Sequence, residues 1–162
     1  MTYDEYTQIL NDNNLHIHED NIIYKHGKGN HNRPICRNEI LEDLVIKRQN
    51  GTITPKEENL LGICLLTLTK IVLNNQKFRY QSEEIRNDIR SEAYLDTLSA
   101  MENKLYDPTK GRAYSYMFRL CYVSGIHILQ RENLEKDTKA RLIETFQELY
   151  PEEPLNIEYT NN

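Results

Sequence analysis

Apolar side chains recur every three or four residues in four stretches between residues 37 and 132, which is the spacing of helices with one buried face. The second of these stretches is apolar on nearly all sides. Thr54, Pro55 and Glu57 stand at its start, where the threonine can cap a helix, the proline suits the first helical position and the glutamate can complete a capping box. The pattern predicts an all-α fold, a compact helical bundle with this second helix at its centre.

The loop before the fourth stretch has signals of its own. Pro108 disfavours helical geometry in the residue before it, Asp107 can cap the helix that follows, and Gly111 tolerates backbone angles that other residues avoid. The fourth helix is therefore predicted to begin near Ala113.

Three further segments lie outside the predicted bundle. Residues 1–36 are polar and rich in Asn, Tyr and His, a composition that predicts a flexible, loosely ordered N-terminal arm. Residues 133–150 have the spacing of a short amphipathic helix, and residues 151–162 form an acidic C-terminal tail with a few apolar side chains. At 162 residues, the chain has the length of one domain with a core of its own.

Charge is distributed unevenly along the chain, whose formal net charge is -5 at pH 7. Residues 104–131 contain five basic side chains and one acidic one, together with the closely spaced Tyr114, Tyr116 and Tyr122. This combination is typical of a surface that binds single-stranded nucleic acid, because cations pair with phosphates and rings stack on bases. Tyrosines at helical spacing are also common as partly buried core residues, and composition leaves both interpretations open.

The order of residues in this stretch resembles a known family. Residues 106–111, Tyr-Asp-Pro-Thr-Lys-Gly, followed by the aromatic Tyr114, are similar to the junction between regions 2.2 and 2.3 of bacterial sigma factors. Residues 84–98 are similar to the helix of region 2.2. The resemblance covers about residues 35–132. The late-transcription sigma factors of T-even-like phages are more similar still, at Ser115-Tyr116-Met117, Cys121-Tyr122 and Gln130-Arg131-Glu132.

The chain departs from the family at two places. Leu120 and Cys121 stand where primary sigma factors have paired tryptophans that abut the upstream edge of the melted DNA. The loop between Met101 and Tyr106 is two residues longer than in the family. Leu120 and Cys121 therefore predict a different, or a weaker, contact at that edge of the DNA.

The resemblance implies a function in transcription initiation. It implies a phage-encoded sigma factor of region 2 type that binds the host core RNA polymerase and directs it to A·T-rich late promoters. The protein would recognise and melt a -10-like element, chiefly through the non-template strand, without cofactor or catalysis of its own. The DNA-binding residues that the resemblance and the charge pattern imply are Lys110, Arg112, Tyr114, Tyr116, Arg119, Tyr122, His127, Gln130 and Arg131.

The resemblance also implies two protein partners. Asp88, Ser91 and Glu92, with Leu95 as an apolar contact, match the helix that docks on the clamp helices of the largest catalytic polymerase subunit. In the C-terminal tail, three apolar residues alternate with polar ones and resemble the peptide with which phage late sigma factors engage the sliding clamp. These residues are Leu155, Ile157 and Tyr159. Without the resemblance, the helix face would be interpreted as solvated and the tail as a frayed terminus.

Two other function classes fit parts of the sequence. A regulatory module, either an anti-sigma protein or a co-activator, would bind the polymerase without reading DNA, but it has no need of the arginines and tyrosines. An enzyme is not predicted, because the chain has no glycine-rich phosphate loop and no nucleophile with a spaced base.

The remaining chemistry-bearing residues predict no metal site. The spacing of the histidines and Cys36 near the N-terminus matches no zinc pattern. Cys36, Cys64 and Cys121 are odd in number and predict reduced thiols, as in a cytoplasm. The resemblance implies the cytoplasm of an infected bacterial host cell. No apolar run is long enough for a membrane span, and the first residues lack the features of a signal peptide.

Overall fold

The computed structural model describes residues 1–29 and 32–152, which form five helices and one small sheet. The helices are α1 (Tyr3–Asp12), α2 (Asn38–Asn50), α3 (Pro55–Leu73), α4 (Glu83–Glu102) and α5 (Ala113–Leu149). The strands are β1 (Leu15–Ile17), β2 (Ile23–His26) and β3 (Asn32–Pro34). They pair antiparallel in the order β1-β2-β3, with Leu15 opposite Lys25 and Tyr24 opposite Pro34.

The prediction of an all-α fold is wrong, and so is the prediction of a flexible arm at residues 1–36. Helix α1 and the three strands together form an ordered N-terminal module. Strands of three or four residues are too short for their alternation to be recognised in a sequence. Their anchors are also distant along the chain, since the Ile23 N–H donates to the Thr67 Oγ1 of α3 at 3.0 Å in the protein interior.

Helix α3 lies at the centre of the fold, and its start follows from local sequence. The Thr54 Oγ1 accepts from the Glu57 N–H at 3.4 Å, while a Glu57 carboxylate oxygen accepts from the Thr54 N–H at 2.9 Å, so the predicted capping box is present. Leu61, Leu65 and Leu68 are almost completely buried. Burial of such side chains stabilises the fold by about 1.5 to 3 kcal/mol each.

Helix α5 differs from the prediction in its length. Residues 133–149, expected as a separate short helix, are the second half of a single helix of 37 residues, which is about 55 Å long. Its first half packs against α4 and α3, whereas its second half exposes Leu134, Leu142 and Leu149 to solvent. The second half of α5 therefore projects from the body of the protein.

The cysteines and the helices bear on two further predictions. The three cysteines are buried and none forms a disulfide in the described residues. No helix within residues 1–29 and 32–152 combines the length and the apolarity that crossing a bilayer requires.

Candidate nucleic-acid interface

The loop before α5 and the first two turns of that helix enclose a groove of about 270 Å³. Four of the predicted DNA-binding residues line it, namely Lys110, Arg112, Tyr116 and Arg119. Within the loop, the Asp107 Oδ1 accepts from the Thr109 N–H at 2.9 Å and from the Thr109 hydroxyl at 2.7 Å. Gly111 has φ +153°, which an L residue rarely adopts, so the turn into α5 requires glycine.

Helix α5 is capped from a distant part of the chain, not by Asp107. The Asn38 Oδ1, in the first turn of α2, accepts from the Tyr114 N–H at 3.0 Å. The prediction that Asp107 caps this helix is wrong, because its carboxylate is engaged by Thr109 within the loop. The Asn38 cap fixes the start of α5, and with it the groove, to the bundle.

Tyr106 anchors the other wall of the groove. Its side chain is buried, and its hydroxyl contacts the Glu42 carboxylate and the Gly111 carbonyl oxygen. Gln49 donates to the Tyr106 carbonyl at 3.0 Å and accepts from its N–H at 3.1 Å. Burial and the nearby Glu42 raise the pKa of Tyr106 above its usual range, so the phenol stays protonated. Its ring lies 5.6 Å from that of Tyr116, centroid to centroid.

The cations of the groove are available to an anionic ligand. Arg112 and Arg119 form no ion pair with a carboxylate in the part of the chain that the structure describes. The Lys110 side chain is 83% exposed, and its Nζ lies 3.8 Å from an Asp107 carboxylate oxygen. Hydrogen bonds from Thr109 hold the pKa of Asp107 below its usual value. Three cations therefore outnumber one fixed carboxylate around the groove.

The predicted tyrosines do not share one surface. Tyr116 faces the groove, but Tyr114, Phe118 and Tyr122 form a separate ladder one helical turn apart along α5. Their ring centroids are 6.1 and 6.4 Å apart, with interplanar angles of 20° and 14°. Tyr122 also packs edge-on against Phe78 at 5.3 Å. Tyr122 is thus packed between two other aromatic rings.

Tyr114 lines a second cleft, of about 340 Å³, between the N-terminal sheet and the bundle. Arg33 of β3 and Asn74, just after α3, line the same cleft. Burial raises the pKa of Tyr114 above its usual value. The sequence does not predict this cleft, because residues 1–36 have the composition of a loosely ordered arm.

The outward face of α5 continues from the groove along the helix. Beyond Tyr116 and Arg119, the predicted His127, Gln130 and Arg131 are all exposed. His127 and Gln130 lie eight and eleven residues after Arg119, which is about two and three helical turns, so they lie on the same side of the helix as Arg119. From Arg112 to Gln130 this side of the helix extends over about 27 Å.

The predicted polymerase-binding residues lie on α4. Asp88, Ser91 and Leu95 are exposed at three- and four-residue spacing and therefore share one face, while Glu92 is half-buried beside them. The Leu95 side chain is 61% exposed. A single exposed leucine is common on protein surfaces, and here it lies beside carboxylates that can pair with cations.

Some sequence predictions fall elsewhere. The three predicted clamp-binding residues, Leu155, Ile157 and Tyr159, lie outside the described residues. Among residues 1–29 and 32–152, no group of three or more His, Cys, Asp or Glu side chains is arranged to hold a metal ion.

Comparison of the chain with protein-family models, with curated proteins and with solved structures found no match.

Proposed function

We propose that this protein is a sigma factor of region 2 type that recruits the host core RNA polymerase to A·T-rich late promoters of a phage. The observation that supports the proposal most strongly is the groove at the start of α5. There Tyr116 stands between Arg112 and Arg119, which have no carboxylate partner in the described residues. Tyr106, Asp107, Lys110, Gly111 and Tyr116 line this groove and are also among the residues that resemble sigma factors.

The groove offers what an unpaired strand requires. Opening a duplex costs a few kcal/mol per extruded base, and A·T-rich sequences with flexible TA steps cost least. Stacking of a base on an aromatic ring returns about 1 to 3 kcal/mol, and arginines neutralise the flanking phosphates. In this proposal Tyr116 stacks on a base of the non-template strand, and Lys110, Arg112 and Arg119 pair with its phosphates. His127, Gln130 and Arg131 then contact the DNA further along the helix.

Polymerase binding is assigned to a different helix, the exposed face of α4. Asp88 and Glu92 would pair with cations of the clamp helices, and Leu95 would be buried on docking. Helices α4 and α5 pack against each other, so one bundle would connect the polymerase to the DNA. The C-terminal residues Leu155, Ile157 and Tyr159 are proposed to engage the sliding clamp, a weak contact made effective by tethering.

Run-off transcription with purified host core polymerase tests the proposal. The template is late phage DNA whose A·T-rich element is intact or scrambled. We expect starts that require both the protein and the intact element. Tyr116→Ala and Arg119→Ala should weaken these starts at least tenfold while core binding, measured by co-elution, is unchanged. Arg141→Ala, which removes an exposed charge of the projecting half of α5, is the matched control.

A second substitution separates the two surfaces. Leu95→Asp should abolish co-elution with core polymerase and leave the melting temperature of the protein unchanged, because this side chain is exposed. Core binding without specific starts, even with clamp and coactivator supplied, would replace the proposal with a regulatory module that does not read DNA.

A further inference from the structure

The N-terminal sheet has a concentration of positive charge that the proposed function does not use. Between Asn21 and Asn38 the chain has four basic residues and no acidic one. Lys25, Lys28 and Arg33 of this segment are exposed, on the β2–β3 hairpin. None of the three forms an ion pair with a carboxylate within residues 1–29 and 32–152.

Two of these cations oppose each other within the sheet. Lys25 of β2 is the cross-strand partner of Arg33 of β3. Like charges directly opposite each other destabilise an antiparallel pair. No carboxylate in the described structure compensates for this loss of stability, and such an uncompensated loss is typical of a functional surface. The positive charge of both residues favours an anionic partner.

Arg33 connects this hairpin to the cleft that contains Tyr114. Arg33, Tyr114 and the exposed Asn74 line the cleft together with the apolar Ile35 and Ile71. Its volume of about 340 Å³ is at the lower end of the roughly 300 to 1,000 Å³ of small-ligand sites, which is enough for one base. Tyr114 precedes Tyr116 by two residues, so the cleft and the groove open on different sides of the same helical turn.

We infer that the β2–β3 hairpin and the Arg33–Tyr114 cleft form a second single-stranded DNA contact, which extends the interface of α5 onto the N-terminal sheet. Lys25, Lys28 and Arg33 bind successive phosphates, and one base enters the cleft against Tyr114, with Asn74 at its edge. This inference gives the N-terminal module a role in DNA binding, and it rests on the proposed function, in which an unpaired strand already lies at Tyr116.

The first test measures the binding of the full-length protein to a fluorescein-labelled, A·T-rich single-stranded oligonucleotide by anisotropy over a range of salt concentrations. The double variant Lys25→Ala/Arg33→Ala should weaken binding at least fivefold. The slope of log K against log salt should fall by about 1.4, since each phosphate contact with a single strand contributes about 0.7. The matched control, Lys139→Ala/Arg141→Ala, removes two charges from the projecting half of α5 and should leave the slope unchanged.

The melting temperature distinguishes DNA binding from a merely structural role of Lys25 and Arg33. Because the double variant removes a like-charge pair, its melting temperature should equal or exceed that of the parent protein. A lower melting temperature together with an unchanged salt slope would overturn the inference and make Lys25 and Arg33 structural residues. Equal losses in both double variants would also overturn it, since they would indicate non-specific attraction only.

A photocrosslink locates the base. An oligonucleotide with a single 5-iododeoxyuridine should crosslink to Tyr114 in the parent protein, as mapped by mass spectrometry of the peptides, and at least fivefold less in Lys25→Ala/Arg33→Ala. Crosslinks confined to Tyr116 would overturn the assignment of the cleft.

The outcomes for this contact and for the proposed function are distinguishable. One outcome is promoter-specific starts that need Arg119 and yet are unaffected by Lys25→Ala/Arg33→Ala. That result would support the proposed function and reject the second contact. A hairpin-dependent salt slope and a Tyr114 crosslink, without promoter-specific starts, would retain the contact and reject the sigma function.

Discussion

Gly125 of α5 lies directly against the ring of Phe78, which is completely buried in the turn between α3 and α4. A Cβ atom at residue 125 would lie 2.7 Å from two carbons of that ring. The ring has little freedom to move, because it also packs against Tyr122 at 5.3 Å. The absence of a side chain at this one position therefore allows α5 to pack closely against the α3–α4 turn.

Gly125→Ala should be destabilising despite the better helix propensity of alanine. Overpacking costs about 1 to 3 kcal/mol, and it is offset in part by a propensity gain of about 0.8 to 1 kcal/mol. Gly62→Ala is the matched control, because its Cβ would meet only the Tyr94 hydroxyl, at 3.8 Å. In urea denaturation followed by circular dichroism, Gly62→Ala should exceed Gly125→Ala in stability by about 1 to 3 kcal/mol. Equal stabilities would mean that Phe78 moves aside freely.

The Glu57 carboxylate should make stability depend on pH in the acid range. Its hydrogen bond from the Lys47 Nζ, at 2.7 Å, and then that from the Thr54 N–H lower the pKa of Glu57 from 4.5 to about 2. A lowered pKa means that the stabilisation is complete above pH 4.5 and is lost as the pH falls through about 2. We expect Glu57→Gln to cost about 1.5 to 3 kcal/mol at pH 7 and progressively less between pH 4.5 and 2.

A neighbouring carboxylate is the control for this measurement. Glu58 pairs with the Arg48 Nε at 3.2 Å, but its side chain is 56% exposed, against 7% for Glu57. An exposed pair contributes about 0 to 1 kcal/mol, so Glu58→Gln should change the unfolding midpoint little at any pH. If the stability lost in Glu57→Gln stayed constant down to pH 2, the Glu57 side chain would stabilise the fold by packing and not by its charge.

Asn38→Ala should weaken both the fold and the DNA groove. The substitution removes the acceptor for the Tyr114 N–H, and loss of such a cap costs about 0.5 to 2 kcal/mol. Asn50→Ala, at the exposed end of α2, makes the same chemical change without touching α5 and is the control. Chemical denaturation gives the stability, and hydrogen exchange should show faster exchange of amides in the first turn of α5. Protection that remains at the wild-type level would exclude a capping role.

The arginines of the groove should contribute equally to the salt dependence of DNA binding. Arg112→Ala and Arg119→Ala should each reduce the slope of log K against log salt by about 0.7 for a single-stranded oligonucleotide, because each releases the counterion of one phosphate. Arg141→Ala should leave the slope unchanged. If all three substitutions reduced the slope equally, DNA binding would depend on net charge alone, and the groove would not be a specific DNA-binding site.

The parts of the fold that sequence predicted correctly are those governed by neighbouring residues. The start of α3 is determined by Thr54, Pro55 and Glu57, which lie within four positions of one another. The sheet was missed because its strands are short and depend on a contact between Ile23 and Thr67, 44 positions apart. The sequence contains one indication that α5 is continuous, since no Gly or Pro interrupts residues 126–150. The change in the sign of charge after Arg131 instead suggests a boundary, which the structure does not have.

The same distinction applies to the candidate site. Lys110, Arg112, Tyr116 and Arg119 lie close together in the sequence, and the structure brings them into one groove. The residues that position this groove were not predicted, because Asn38 and Gln49 reach it from α2 across 76 and 57 positions. The cleft at Tyr114 is not predictable from nearby residues, because Arg33 of the unpredicted strand β3 lines it.

The projecting half of α5 acts as a spacer between opposite charges. Residues 132–162 contain eight acidic and three basic side chains, and a flexible segment of that composition would compete with DNA for the arginines of the groove. Residues 133–149 instead form a helical rod of about 25 Å, which is several times the screening length of about 8 Å at physiological salt. A helical rod cannot fold back on itself. The same helix that presents the basic groove at one end therefore keeps the start of the acidic tail, at its other end, beyond the screening length from the arginines of the groove.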